Sequence, residues 1–89
     1  MYRLELTPRA QRELDELRSK EFDRIVGAIQ KLGQSPRPVG ARKLRGPIYR
    51  VRCGDWRIIC AVFDKDQLVI VGKVTRRAEA TYDKVDELF

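Results

Sequence analysis

The stretch that decides the fold runs from Leu44 to Phe63 and reads LRGPIYRVRCGDWRIICAVF. Apolar residues alternate with arginine before Gly54-Asp55, and a mostly apolar run follows this dipeptide. Gly and Asp in such a position are typical of the short turn of a β-hairpin. The stretch therefore predicts two antiparallel strands, Ile48–Cys53 and Trp56–Phe63, that are joined by a two-residue turn.

Three arginines of this hairpin are expected to share one face of the sheet. Side chains alternate along a strand, so Arg50 and Arg52 project from the same face. The two-residue turn places Arg52 directly opposite Arg57. Like charges in such positions destabilise a sheet, and a polyanionic ligand that neutralises them would explain why they are present. The alternative is an exposed sheet face whose arginines simply extend into solvent.

The rest of the chain predicts a single α+β domain that comprises residues 1–89. A short alternating strand at the N terminus precedes two amphipathic helices, and Leu68–Thr75 reads as a further strand. From Glu79 to Phe89 the apolar spacing becomes helical. The predicted fold is a two-helix N-terminal hairpin packed on a four-stranded antiparallel sheet, with a short C-terminal helix.

A two-residue turn at Lys65-Asp66 would fix the position of the last strand. It would place Val74 opposite Arg57, with Arg76 just past the strand end on the same face. Arg76 would then join the three arginines of the hairpin, and Tyr82 would follow one or two helical turns later.

Positive charge is concentrated in the middle of the chain. The net charge is +6, and residues 37–77 contain eleven Lys or Arg against three Asp. This distribution is expected of a surface that meets a polyanion, and a solvated basic surface is the alternative. No apolar run approaches the roughly 20 residues of a membrane span, and the first residues lack the apolar stretch of a signal peptide. We expect a cytoplasmic protein with no membrane partner.

The composition excludes several chemistries. The chain has no histidine and two cysteines, so a Ser-His or Cys-His nucleophile is impossible. We expect no metal site and no cofactor, because Cys53 and Cys60 do not have metal-ligand spacing. The predicted hairpin also separates the two cysteines by roughly 13 Å along the strands, which is too far for a disulfide.

Three segments that follow the helical hairpin in the sequence are similar to segments of a known family. They are KLRG, YRVRCGDWRIICAV and VTRRAEATY. With them the sequence resembles the RelE/ParE superfamily of bacterial and archaeal toxins over nearly its whole length, in particular the RelE-like branch. The resemblance implies a microbial-ribonuclease-like α+β fold and the toxin of a type II toxin-antitoxin system. It further implies a metal-independent mRNA endonuclease that cuts mRNA in the ribosomal A site, by attack of a ribose 2′-OH on the adjacent phosphate.

The resemblance also assigns site residues. It implies a catalytic set of Arg50, Arg52, Arg57, Arg76 and Tyr82. It matches further basic positions at Arg45 and Arg77, and with Lys43 and Lys73 these residues make up the predicted RNA-binding set. Because arginine stays protonated, it cannot serve as a general base. Tyr82 is therefore the first candidate for the base, and Lys43 or Lys73 would replace it if the tyrosine only packs the last helix.

The partners that the resemblance implies are the ribosome with its mRNA and a cognate RelB-like antitoxin. The antitoxin is expected to bind through an acidic or amphipathic segment that folds on contact, and the toxin-antitoxin complex is expected to bind operator DNA through the antitoxin. Two alternative functions stay open. One is a ParE-like inhibitor of DNA gyrase without nuclease chemistry, and the other is a member that retains only antitoxin binding and autorepression.

Overall fold

A computed structural model of the chain describes residues 1–77 and 84–89. The order of its elements agrees with the predicted α+β arrangement and adds one strand between the helices and the hairpin. The elements are β1 (Arg3–Leu6), α1 (Pro8–Asp15), α2 (Ser19–Leu32), β2 (Arg42–Arg45), β3 (Ile48–Cys53), β4 (Trp56–Phe63), β5 (Leu68–Arg76) and a C-terminal 3-10 helix (Val85–Leu88).

The sheet has five strands in the order β1-β5-β4-β3-β2, with β1 parallel to β5 and the other pairs antiparallel. The prediction of four antiparallel strands is therefore wrong in two respects. After β1, the chain crosses one face of the sheet through α1 and α2 and enters the sheet again at the far edge. It then returns strand by strand, so that β5 arrives beside β1 and runs in the same direction. The additional strand β2 has only four residues, and three of them are basic.

The two helices form where the sequence predicts them. The Thr7 hydroxyl accepts a hydrogen bond from the backbone N–H of Ala10 at 3.2 Å and so caps α1, while Pro8 occupies its first turn. The buried positions of α2 are Ile25, Ile29 and Leu32, which recur at helical spacing. These apolar stripes pack on the sheet, and the helices leave its opposite face to the arginines of the hairpin, as predicted.

The sheet has a hydrophobic cluster on each face. The larger one lies under α1 and α2, and its strand residues are Val51, Ile58, Cys60, Val62, Val69, Val71 and Val74. The smaller one, on the opposite face, is formed by Ile48, Ile59, Ala61 and Val85. The C-terminal 3-10 helix therefore covers part of the face that the N-terminal helices leave open.

A β-bulge changes the register of β5. Ile59 pairs with Lys73 and Cys60 pairs with Val71, so that Gly72 is the extra residue. A Cβ atom at Gly72 would lie 2.7 Å from ring atoms of Phe89, which is closer than side chains approach one another. A side chain at this position would therefore displace the ring of Phe89.

Among the residues that the structure describes, no helix is long and apolar enough to cross a membrane.

Both cysteines are free, as predicted, and they differ in accessibility. Cys60 is fully buried, and burial raises the pKa of its thiol to about 12. Cys53 is partly exposed. At neutral pH we expect a maleimide to modify Cys53 in the folded protein, whereas Cys60 reacts only after unfolding, because the thiolate is the reactive form. Mass spectrometry of digests would show this order, and equal labelling of both thiols without denaturant would contradict the fold.

Candidate functional site

The candidate site is the part of the sheet surface that carries Arg42, Arg50, Arg52, Arg57 and Lys73, which we call the arginine face. Cross-strand pairing brings these residues together. Arg52 pairs with Arg57, as predicted, and Arg50 pairs with Arg42. Partners in an antiparallel register share a face, and this face points away from α1 and α2. Lys73 joins it from β5, opposite Ile59.

Arg57 is the most buried residue of the arginine face and is only 6% exposed. Its Nη1 donates hydrogen bonds to the carbonyl oxygens of Gly54 at 3.0 Å and Trp56 at 2.9 Å. The turn therefore holds one nitrogen of the guanidinium against the backbone. Gly54 has a φ of +60°, a conformation that favours glycine and that a tight hairpin turn requires.

Among residues 1–77 and 84–89, no carboxylate forms an ion pair with Arg57. In the described part of the chain, Arg57 makes two hydrogen bonds, both through Nη1 to carbonyl oxygens, and no ion pair. Burying a charge costs free energy unless the charge is paired and its donors are satisfied. An anion that accepts hydrogen bonds from Nε and Nη2 would complete this environment, and the planar guanidinium suits phosphate oxygens.

The neighbouring arginines differ in exposure. Arg50 is 9% exposed, whereas Arg52 and Arg42 extend into solvent. Arg42 was missing from the set assigned by sequence. No pattern in the four residues Arg42–Arg45 marks them as a strand, and the pairing with β3 puts Arg42 on the face of Arg50.

Arg76 does not lie on the arginine face, and its predicted position is wrong. It pairs with Trp56, on the side of the helices. Its guanidinium carbon lies 5.0 Å from the centre of the Trp56 ring, and Nη2 is 3.6 Å from a carboxylate oxygen of Glu21. The reason is the bulge at Gly72, which adds one residue to β5. The side chains that follow the bulge therefore project from the face opposite to the one that a regular ladder would give.

The other assigned residues are placed as follows. Lys43 pairs with Tyr49, whose side chain packs on the cluster under the helices, so the register puts Lys43 on the side away from the arginine face. Arg45 forms an exposed ion pair with Asp86 at 2.8 Å. Arg77 is exposed, and its backbone N–H donates to the carbonyl oxygen of Asp55. Tyr82 lies outside the described residues.

The chemistry of this surface is that of anion recognition. Four guanidiniums and one ammonium group share a face, and the guanidinium of Arg57 is buried and oriented by its own turn. Such groups bind phosphates and stabilise negative charge that builds up on phosphate oxygens during transfer. Among the described residues of the arginine face, Lys73 is the one whose side chain is not a guanidinium.

The fold and this basic face agree with a comparison of the sequence with protein families. The model of the ParE toxin of type II toxin-antitoxin systems (parDE) matches residues 4–81. Because this match spans most of the chain, the chain belongs to the RelE/ParE superfamily of toxins from type II toxin-antitoxin systems. No curated protein matches the sequence.

Solved structures place the chain in the RelE-like branch of this superfamily. The chain is similar to archaeal RelE in its complex with RelB from Pyrococcus horikoshii, with 28% identity and a TM-score of 0.79 over 89% of this chain and 98% of that chain. It is similar to the RelBE2 complex of Mycobacterium tuberculosis, with 26% identity and a TM-score of 0.75 over 88% and 93%. It also resembles the intact RelBE complex of E. coli, with 28% identity and a TM-score of 0.71 over 85% and 96%.

Proposed function

We propose that this toxin is a ribosome-dependent mRNA endonuclease whose reaction takes place on the arginine face. The observation that carries the proposal is Arg57, a buried guanidinium that the turn orients and that has no carboxylate partner in the described residues. Similarity to RelE toxins supports the same conclusion. A buried arginine that is oriented to bind an anion is not expected in an inhibitor that acts only through protein contact.

The proposed reaction needs positioned positive charge and a proton acceptor. The ribose 2′-OH of the mRNA attacks the adjacent phosphorus while the bond to the next 5′-oxygen breaks, which leaves a 2′,3′-cyclic phosphate and a 5′-OH end. Arg57 and Arg52 neutralise the charge that develops on the non-bridging oxygens, because they face each other across the hairpin. Arg50 extends the same surface by two residues along β3.

Tyr82 is the proposed general base. Lys73, which lies on the arginine face, is the alternative candidate for this role. Tyr82→Phe keeps the ring and removes the hydroxyl, so we expect cleavage to fall sharply while ribosome binding and thermal stability persist. The measurement is single-turnover cleavage of mRNA on programmed ribosomes. Normal cleavage by Tyr82→Phe would assign the tyrosine a packing role, and a loss in Lys73→Met would then identify the lysine as the base.

The proposed partners follow from the same family. Solved relatives include RelE bound to RelB and to a RelB peptide. We propose that a RelB-like antitoxin neutralises this toxin through an acidic or amphipathic segment that folds on binding, and that the complex reaches operator DNA through the antitoxin.

A second candidate function is inhibition of DNA gyrase, which the description of the matching family as a ParE toxin favours. The two functions differ in the process that stops first in a bacterium. After induction of the toxin, we expect incorporation of labelled methionine to stop before incorporation of thymidine. Loss of plasmid supercoiling while protein synthesis continues would favour the gyrase alternative.

A further inference from the structure

The two edge strands of the sheet differ in the charges that they expose. β2 forms one edge, and three of its four residues are basic. An edge strand presents unpaired backbone groups, and a row of basic side chains prevents a second copy of the same strand from pairing there. β1 forms the other edge, and its exposed residues are one base and one acid, Arg3 and Glu5. The like-charge barrier of β2 is therefore absent from β1.

Alternate backbone groups of β1 point away from the sheet. The N–H groups of Arg3 and Thr7 donate to carbonyl oxygens on the β5 side. Because the direction of these groups alternates along a strand, the N–H and C=O groups of Leu4 and Leu6 point outward. In the described part of the chain, no backbone hydrogen bond to another element is made by Leu4 or Leu6 at this outer edge. β1 can therefore accept a further strand.

The charges of β1 select a second copy of β1 as its partner and also select the register. If two β1 strands pair antiparallel with Leu4 opposite Leu4, Arg3 of each copy lies opposite Glu5 of the other. The outward groups then meet, as the hydrogen bonds require. The next such register on either side puts Glu5 opposite Glu5 or Arg3 opposite Arg3, and like charges in these positions oppose pairing. One register is thus favoured by charge and by hydrogen bonding together.

The ion pair that Arg3 and Glu5 form within one chain competes little with this arrangement. Nε of Arg3 lies 3.1 Å from Oε2 of Glu5, and the two side chains are 67% and 50% exposed. Exposed pairs of this kind contribute little to stability, so their exchange for pairs between copies is inexpensive. Between copies, Arg3 and Glu5 occupy a non-hydrogen-bonded position, where opposite side chains are closest.

We propose that β1 is a dimerisation edge, at which two copies of this chain join their sheets through antiparallel pairing of Arg3–Leu6. Each Leu4 N–H donates to the Leu4 carbonyl oxygen of the second copy, and the Arg3–Glu5 pairs flank this centre. The two-fold axis is perpendicular to the sheet, so the arginine faces of both copies lie on the same side of one continuous sheet. The strands β2 and β3 lie at its far ends, and dimerisation leaves the arginine face uncovered.

The test is a charge exchange followed by sedimentation equilibrium of the purified toxin over a series of concentrations. The unchanged protein should form a dimer as concentration rises. Arg3→Glu places two carboxylates opposite each other at both ends of the pairing, and Glu5→Arg does the same with two guanidiniums. Each should weaken dimerisation on the order of tenfold or more. The double variant Arg3→Glu/Glu5→Arg restores opposite charges and should dimerise as the unchanged protein does.

A mixture of the two single variants gives the sharpest result. One carries two acids on its β1 edge and the other carries two bases, so they should form a mixed dimer although neither dimerises well by itself. The matched control is Arg12→Glu, which makes the same change of charge at an exposed position of α1. It should dimerise as the unchanged protein does. Because Arg3 and Glu5 are exposed, every variant should keep the melting temperature of the unchanged protein.

Hydrogen exchange locates the contact. The amides of Leu4 and Leu6 should gain protection as concentration rises, whereas the amide of Arg3, which is bonded on the β5 side, should not change. A protein that stays monomeric at every concentration would overturn the inference, as would single variants that dimerise like the unchanged protein. It also falls if these amides gain protection only when an antitoxin peptide is added, because the edge then serves the antitoxin.

Discussion

Replacing Arg57 with alanine is expected to slow mRNA cleavage on the ribosome about a hundredfold or more, the loss seen when a single oriented donor is removed from developing negative charge. The guanidinium is buried and fixed by the carbonyl oxygens of Gly54 and Trp56, so the substitution removes a donor that the fold has already oriented. The measurement is single-turnover cleavage with saturating toxin, which reports the chemical step rather than binding.

Two further variants show whether the effect is specific to the position of Arg57. Arg57→Lys keeps the charge but lacks the planar fork, so it should recover only part of the rate. Arg76→Ala removes a guanidinium that stacks on Trp56 on the other side of the sheet. We expect it to lower the free energy of unfolding by about 0.5–1 kcal/mol and the cleavage rate far less than Arg57→Ala does. Equal loss of rate in both variants would contradict the placement of Arg76.

The largest effect on stability is expected from Ile58→Ala. Ile58 is fully buried in the cluster between the helices and the sheet. Truncation of such a residue removes apolar contacts and leaves a cavity, which costs about 2–5 kcal/mol. Domains of this size have about 5–15 kcal/mol of stability in total, so the variant should melt many degrees below the unchanged protein.

Val39→Ala is the matched control, because Val39 is fully exposed in the loop before β2. Its free energy of unfolding should change by no more than about 0.5 kcal/mol. Urea denaturation followed by Trp56 fluorescence measures both variants. Similar midpoints for Ile58→Ala and Val39→Ala would contradict the position of Ile58 in the core.

The hairpin and the helices could be predicted because their signals are local. Gly54-Asp55 defines the turn, and once the turn has two residues the pairing of Arg52 with Arg57 follows from counting. The helix stripes likewise depend on spacing within one segment. The register of the hairpin and the positions of the helices were therefore correct from sequence.

The rest depends on contacts that are distant in the chain. The bulge at Gly72 lies where Phe89 packs against the sheet. The isolated glycine in Leu68–Arg76 is a local signal for a bulge, and the prediction of a regular strand did not use it. Because of this one additional residue, Arg76 lies on the helix side of the sheet and not on the arginine face. The strand β2 is too short and too polar to stand out, so Arg42 was missed. The parallel pairing of β1 with β5 joins the first and the last strand of the described chain, which no local pattern predicts.

The most direct test of the central claim is to map mRNA ends on purified ribosomes that are stalled with a defined codon in the A site. With the toxin added, we expect new ends within that codon, with a 2′,3′-cyclic phosphate on one side and a 5′-OH on the other. Cleavage should require the ribosome and should nearly disappear with Arg57→Ala. Intact mRNA in the presence of toxin that still inhibits supercoiling by DNA gyrase would contradict the account.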